Sequence, residues 1–233
     1  MDKNNYIWIE YNFDFGNKRE PKQFLVLLDK KTLTAVPPEG SQESSWTHLD
    51  SHKCEICPLD SNEVKNCPIA YNISGVAYEF AEIYSIEEVK ITVNIEERSY
   101  FKKDTVQQGL RSILGIYLAT SGCPHMAILK PMARFHLPFA SMEETLYRQV
   151  SNYLLGEYFE FLDGKTPDIS LKELSKKNEK IDDVNQGICK RIESITEGDA
   201  NKNALIILNA IGLMLSLEIQ GKFDSLKYLY RTN

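Results

Sequence analysis

The sequence contains no long hydrophobic run and no hydrophobic leader. It has no stretch of about 18 consecutive apolar residues, the length that crosses a bilayer as a helix. Its start, Met1 to Asn5, lacks the basic and apolar regions of a secretory signal peptide. We therefore expect a cytoplasmic protein. In that reducing compartment the five cysteines are expected to serve ligation or redox chemistry rather than structural disulfides.

The sequence also lacks a concentration of positive charge. The formal net charge is −6, and the acidic excess lies in the amino-terminal half of the chain. An acidic surface repels phosphate groups, and no basic stripe with interleaved aromatic residues occurs. We therefore expect neither nucleic acid nor an anionic membrane surface as a direct partner.

No internal repeat or low-complexity tract is present, and the composition, 42% hydrophobic and 26% charged, is ordinary for a globular protein. Alternation of apolar and polar residues over 6–15 predicts a half-buried strand. Residues 23–28 and 33–36 are predicted to continue an antiparallel meander. A long alternating strand over 88–100 is expected to close the sheet.

The rest of the chain has the apolar spacing of helices. Residues 105–108 and 141–144 each have the form of a capping box, Thr or Ser followed three residues later by Gln or Glu. Residues 170–195 are predicted to be helical with a break near Lys180, and a strongly apolar last helix is predicted over 200–220.

These patterns predict an α+β protein. An amino-terminal antiparallel sheet is followed by a carboxy-terminal helical bundle, and a cysteine-rich segment joins the two. The predicted division is 1–104, containing the sheet, the cysteine segment and one helix, and 105–233, the bundle. One continuous domain is the alternative.

The cysteines carry the strongest chemical signal. Cys54 and Cys57 have the two-residue gap that suits two ligands of one metal ion, and Cys67 follows after nine residues. Cys123 could bring a fourth thiol to the same place. Four thiolates suit tetrahedral zinc or an iron–sulfur cluster, and zinc is favoured because the spacing matches neither ferredoxin pattern.

The proline after Cys67 supports its assignment as a metal ligand. Pro68 fits the first position of a helix, so Cys67 becomes the N-cap residue. A thiol there meets the positive end of the helix dipole and free backbone N–H groups, which favour the thiolate that binds a metal. Cys123 precedes Pro124 in the same way.

Two other interpretations of the cysteines stay open. Three could be buried structural thiols with a reactive fourth, or two could form a redox dithiol without metal. The long separation of Cys123 and the absence of a second Cys-x-x-Cys pair weaken the metal assignment. Cys189, within a helical stretch, is interpreted as a core or helix-surface residue.

A different function is suggested by the apolar segment 132–140. An enzyme pocket could be formed by five residues in and around it: Cys123, His125, Arg134, His136 and Glu144. Simpler roles compete, because a histidine on an apolar loop is usually a hydrogen-bonded structural group. Glu144 would complete a helix cap and form an ion pair with Arg148. No motif names a reaction.

Four segments together resemble a family of soluble bacterial proteins without an assigned activity. They are residues 54–59 (CEICPL), 67–70 (CPIA), 119–125 (ATSGCPH) and 131–141 (PMARFHLPFAS). The resemblance extends over about 46–220 and implies no activity, cofactor or catalytic residue.

The leading expectation is a cytoplasmic metal-binding protein with a structural, regulatory or redox-sensing site that acts through an unknown protein partner. The last helix is apolar on more than one side, so it should be enclosed by its own chain or by a second copy. If its own chain leaves the helix exposed, we expect a homodimer that buries part of this helix or of the helix over 147–161.

Overall fold

The computed structural model describes residues 5–195, 198–221 and 223–230. The chain start that was interpreted as lacking a leader lies outside these residues, apart from Asn5. The described residues contain an amino-terminal four-stranded antiparallel sheet followed by a mostly helical region, so the predicted α+β class is confirmed. The strands are β1 (Tyr6–Asp14), β2 (Lys22–Asp29), β3 (Glu88–Ile95) and β4 (Ser99–Thr105).

The helical part begins before the sheet is complete, since α1 precedes β3 in the chain. The α-helices are α1 (Pro68–Glu79), α2 (Val106–Thr120), α3 (Lys130–Arg134), α4 (Met142–Leu162), α5 (Lys172–Glu193) and α6 (Ala200–Gln220). Within the described ranges, 3-10 helices cover Gly16–Lys18, Pro124–Leu129 and Asp224–Leu229.

The sheet has the strand order β2-β1-β3-β4, with β1 inside. Ile9, Tyr11 and Phe13 of β1 are buried, whereas the residues between them are partly exposed. The alternation predicted for this strand is therefore confirmed. Side chains of successive strand residues point to opposite faces, so one face of the sheet packs into the core.

Two details of the predicted sheet were wrong. The third strand predicted over 33–36 is reduced to a single bridge between Leu28 and Ala35. The long strand predicted over 88–100 is a hairpin, in which the Ile95 N–H donates to the Arg98 carbonyl at 3.0 Å. Three consecutive charged residues form the turn, and β4 is a largely exposed edge strand without an apolar alternation to reveal it.

The predicted capping boxes had different outcomes. At α4 the box is formed: the Glu144 N–H donates to Ser141 Oγ at 3.1 Å, and the Ser141 N–H donates to the Glu144 carboxylate at 2.7 Å. At α2 the Thr105 side chain makes no cap. The N–H groups of Val106 and Gln107 instead donate to main-chain carbonyls of the 85–87 segment, so a side-chain cap is not needed.

The break predicted near Lys180 does not occur, because α5 runs without interruption for 22 residues. Leu174, Ile181, Val184 and Ile188 are buried along one side of this helix. The stretch around Lys180 contains neither proline nor glycine, and its apolar stripe continues on both sides.

One main hydrophobic cluster joins the sheet to α1, α2, α5 and the start of α6. The approach of α2 to the sheet is close. A β-carbon added at Gly109 would lie 2.4 Å from Cε1 of Phe13. This contact brings the opposite side of α2 against the later helices.

α6 packs against α5 and α2 but is not enclosed by the described chain. Leu217 is 66% exposed, and Ile206, Leu213 and Met214 are also exposed. Among the described helices α6 alone is by itself long and apolar enough to cross a membrane, with a mean hydropathy of 1.5, and α2 with 124–134 passes that test only as a bent pair. Core helices of soluble proteins meet the same criterion.

Candidate functional site

Main-chain hydrogen bonds hold Cys67 at the start of α1. The Cys67 N–H donates to the Thr47 carbonyl at 2.8 Å, and the Leu49 N–H donates to the Lys65 carbonyl at 2.9 Å. Pro68 is the first residue of α1 and Cys67 is its N-cap residue, as predicted. The buried Cys67 thus lies where the 46–49 segment crosses the helix terminus.

The Cys54–Cys57 pair lies on a turn against α5. The Cys57 N–H donates to the Cys54 carbonyl at 2.9 Å. A β-carbon added at Gly187 would lie 2.6 Å from Cys54 Sγ, so only glycine lets α5 approach this closely. The His125 ring N–H donates to the Ile56 carbonyl at 2.9 Å and ties this turn to the segment after α2.

Cys123 is half-buried at the start of the 3-10 helix Pro124–Leu129. Burial raises the pKa of its thiol to about 11. The backbone N–H groups of His125 and Met126 oppose this shift, whereas the thiols of Cys67 and Cys54 add to it. Cys123 is therefore in electrostatic contact with two of the other cysteines that the sequence grouped with it.

Cys54 is in the same neighbourhood. Burial raises the pKa of its thiol, Cys67 and Cys57 raise it further, and Arg191 lowers it. Cys189 is outside the group, since burial and Glu193 raise its pKa and none of the other thiols influences it. Four cysteines therefore share one neighbourhood.

The shared neighbourhood is not a formed coordination shell. Among the residues that the structure describes, no three His, Cys, Asp or Glu side chains are arranged to hold a metal ion. All five cysteines are free thiols. The four-cysteine metal site thus stays a prediction.

Arg191, a deeply buried charged side chain near these thiols, was not singled out by the sequence analysis. Arg191 is only 1% exposed. Its guanidinium donates to the carbonyls of Trp46 and His48 at 2.7 Å each and to that of Leu49 at 2.8 Å. Within the described residues it forms no ion pair with a carboxylate, and its Nε has no hydrogen-bond partner.

A signal for Arg191 was present in the sequence. It lies between Ile188 and Ile192 on the apolar stripe of α5, where a cation is out of place. A buried charge requires hydrogen bonds and a compensating charge. The three carbonyls supply the hydrogen bonds, and the Cys54 thiol is a nearby group that can acquire negative charge.

A cavity of about 180 Å³ lies beside this region, among α2, α3, α4, α5 and α6. Most of its walls are apolar. Of the five residues predicted to form an enzyme pocket, His136 lines the cavity, whereas Cys123, His125, Arg134 and Glu144 do not. The five are therefore not brought together around this cavity.

His136 is hydrogen-bonded within the fold. Its Nε2 shares a hydrogen bond of 2.5 Å with the Tyr11 hydroxyl and lies 3.4 Å from Ser112 Oγ. Burial, together with the charge of Arg148, lowers the pKa of the imidazole to about 3. Burial also raises the pKa of Tyr11. Both groups are neutral at physiological pH.

The other pocket candidates have local partners. Arg134 lies over the ring of Phe135, with 5.1 Å from the guanidinium carbon to the ring centre. The predicted ion pair between Glu144 and Arg148 is not formed, because Arg148 donates to the carbonyls of Met132 and Phe135 at 2.7 Å each. These bonds hold the segment after α3 against α4.

The fold and the thiol cluster define an α+β protein with a cysteine-rich connection between its sheet and its helices. The chain belongs to the family described as "Domain of unknown function (DUF6901)", which matches residues 9–231. No curated protein and no solved structure matches the chain.

Proposed function

We propose that Cys54, Cys57, Cys67 and Cys123 bind one metal ion, zinc in preference to an iron–sulfur cluster. The site would have a structural or regulatory role, and it would act through a protein partner rather than through catalytic turnover. One observation carries it: the buried Arg191, without a carboxylate ion pair among the described residues, lowers the pKa of the Cys54 thiol, which burial raises.

Charge balance supports the proposal. The guanidinium of Arg191 donates to three carbonyls and forms no ion pair with a carboxylate among the described residues. A buried unpaired charge is unfavourable by several kcal/mol. Four thiolates around Zn²⁺ leave excess negative charge. Arg191 would compensate part of that excess, so each charge would make the other less costly to bury.

The positions of the thiols also suit ligation. Cys67 and Cys123 each precede a proline at a helix start. Cys54 and Cys57 lie on one turn. Since no three of the side chains are arranged as ligands, metal binding would require them to turn toward a common point.

The site would connect parts of the chain that are distant in sequence. Its ligands come from the 54–57 turn, the start of α1 and the end of the α2 connection, and Gly187 of α5 contacts the turn. Metal-binding free energy would then be part of the folding free energy. A partner that contacts this junction would respond to the metal.

The test is metal analysis and absorption spectroscopy of protein purified without oxygen. About one zinc per chain is expected, and visible colour would instead identify an iron–sulfur cluster. Cys67→Ser should lose the metal, whereas Cys189→Ser, outside the cluster, should retain it. Full metal content in Cys67→Ser would contradict the proposal.

Chelation provides a second readout. Complete removal of metal from the full-length protein should lower its melting temperature, and added zinc should restore it. The Cys67→Ser variant should not respond to either treatment. An unchanged melting curve after verified metal removal would rule out a structural site.

A further inference from the structure

We infer that the 180 Å³ cavity among α2 to α6 is a binding site for a small apolar carboxylic acid. No cysteine lines the cavity. This inference therefore does not depend on the metal site proposed above.

The size and walls of the cavity set the apolar part of the ligand. Leucine, isoleucine, methionine and alanine side chains form most of the lining. A cavity of about 150 Å³ accommodates one benzene molecule. The present volume of about 180 Å³ therefore suits one aromatic ring, or an aliphatic chain of similar size, with a small polar group attached.

Two arginines set the polar part. Arg111 and Arg148 both line the cavity, and burial lowers the pKa of each guanidinium. Arg148 donates to two carbonyls, and Arg111 makes one long bond of 3.4 Å to the Ala140 carbonyl. A bound anion would stabilise two cationic side chains that line one apolar cavity.

The acidic side chains that influence the two guanidinium groups do not fulfil that role. Asp104 raises the pKa of Arg111 but forms its ion pair with Lys102, at 2.8 Å. Glu144 raises the pKa of Arg148 while its carboxylate caps α4. Neither arginine forms an ion pair with a carboxylate among the described residues. A ligand carboxylate would accept charge-assisted hydrogen bonds from the guanidinium groups.

A third polar group faces the same space. Asn185 lines the cavity, and its Oδ1 is buried without a hydrogen-bond partner in the described structure. The other two amides, Gln149 and Asn178, bond to each other at 2.8 Å. A buried amide oxygen without a partner is stabilised when a donor reaches it, so a ligand hydroxyl beside Asn185 would be stabilised there.

The probes are phenylacetate and its neutral analogue 2-phenylethanol, titrated into the full-length protein and followed by calorimetry and NMR. Phenylacetate is expected to bind one to one, about 10-fold or more tightly than 2-phenylethanol. Arg111→Gln should weaken phenylacetate binding about 10-fold and leave 2-phenylethanol binding unchanged. Arg134→Gln, close in the chain but outside the lining, is the matched control and should bind like the parent protein.

A cavity-filling variant tests the location independently. Leu208→Trp, at a half-buried wall position, should abolish binding of both probes while the protein keeps its helical circular dichroism. Undiminished binding in this variant would overturn the inference. Equal affinity for the two probes, or no binding of phenylacetate at millimolar concentration, would overturn it as well.

Discussion

Cys54 and Gly187 are in direct contact, although 133 positions separate them in the chain: a β-carbon at Gly187 would lie only 2.6 Å from Cys54 Sγ. The absence of a side chain at Gly187 lets the cysteine turn rest on α5. In a helix glycine is normally less favourable than alanine by about 1 kcal/mol. Here the close contact makes glycine the better residue.

The first prediction follows from this contact. Gly187→Ala should destabilise the protein by about 1–3 kcal/mol, because the added methyl group displaces the thiol of Cys54 from a packed position. Gly156→Ala is the matched control, since Gly156 is a helical glycine with open space around its Cα. It should be neutral or stabilising by up to about 1 kcal/mol. Urea unfolding of both variants measures the difference.

A second prediction concerns Arg191. Arg191→Met should destabilise the fold by about 3 kcal/mol or more, because three carbonyls, two of them in buried hydrogen bonds, lose their donor. Lys190→Met, at the exposed neighbouring position, should change the free energy of unfolding by less than about 0.5 kcal/mol. Similar effects of the two substitutions in urea unfolding would show that Arg191 does not organise the 46–49 segment.

The third prediction is a pH dependence at Asp182. This residue is 8% exposed and its Oδ1 has no hydrogen-bond partner in the described structure. Burial, together with the charges of Asp183 and Glu179, raises the pKa of its carboxyl to about 6. The folded state therefore binds this proton more tightly than the unfolded state, in which the pKa is about 3.8.

Because the charged form is disfavoured in the folded state, Asp182→Asn should stabilise the protein above pH 6 by about 1–3 kcal/mol. The gain should shrink as the pH falls from about 6 to about 4, where the native carboxyl is protonated in the parent. Asp183→Asn, at an exposed position, is the control and should show little pH-dependent gain. A gain for Asp182→Asn that grows toward pH 4 would have the wrong sign.

The fourth prediction is self-association. Like α6, α4 exposes large apolar side chains, at Leu155, Tyr158, Phe159, Phe161 and Leu162. A two-fold contact would cover part of both helices. Sedimentation at micromolar concentration should detect a dimer of the 26.7 kDa chain, and Leu217→Glu with Leu213→Glu should dissociate it. Only a 26.7 kDa species in the unsubstituted protein would contradict the prediction.

Local features of the fold were predictable because neighbouring residues determine them. The alternation of β1 identified its buried face, Pro68 marked the start of α1, and the Ser141–Glu144 box marked the start of α4. The sequence spacing also grouped four cysteines apart from Cys189, and the structure places those four in one electrostatic neighbourhood. That these four cysteines bind a metal ion is a proposal.

Tertiary structure alone decided the features that depend on distant contacts. The hairpin at Arg98 replaced a predicted long strand because edge pairing leaves β4 largely exposed and without a clear period. Arg148 bonds to two carbonyls rather than to Glu144 because the loop after α3 folds against α4. The cavity and the carbonyl partners of Arg191 arise where segments remote in sequence pack together. Sequence periodicity indicates which side of an element is buried, but it does not indicate which residues pack against that side.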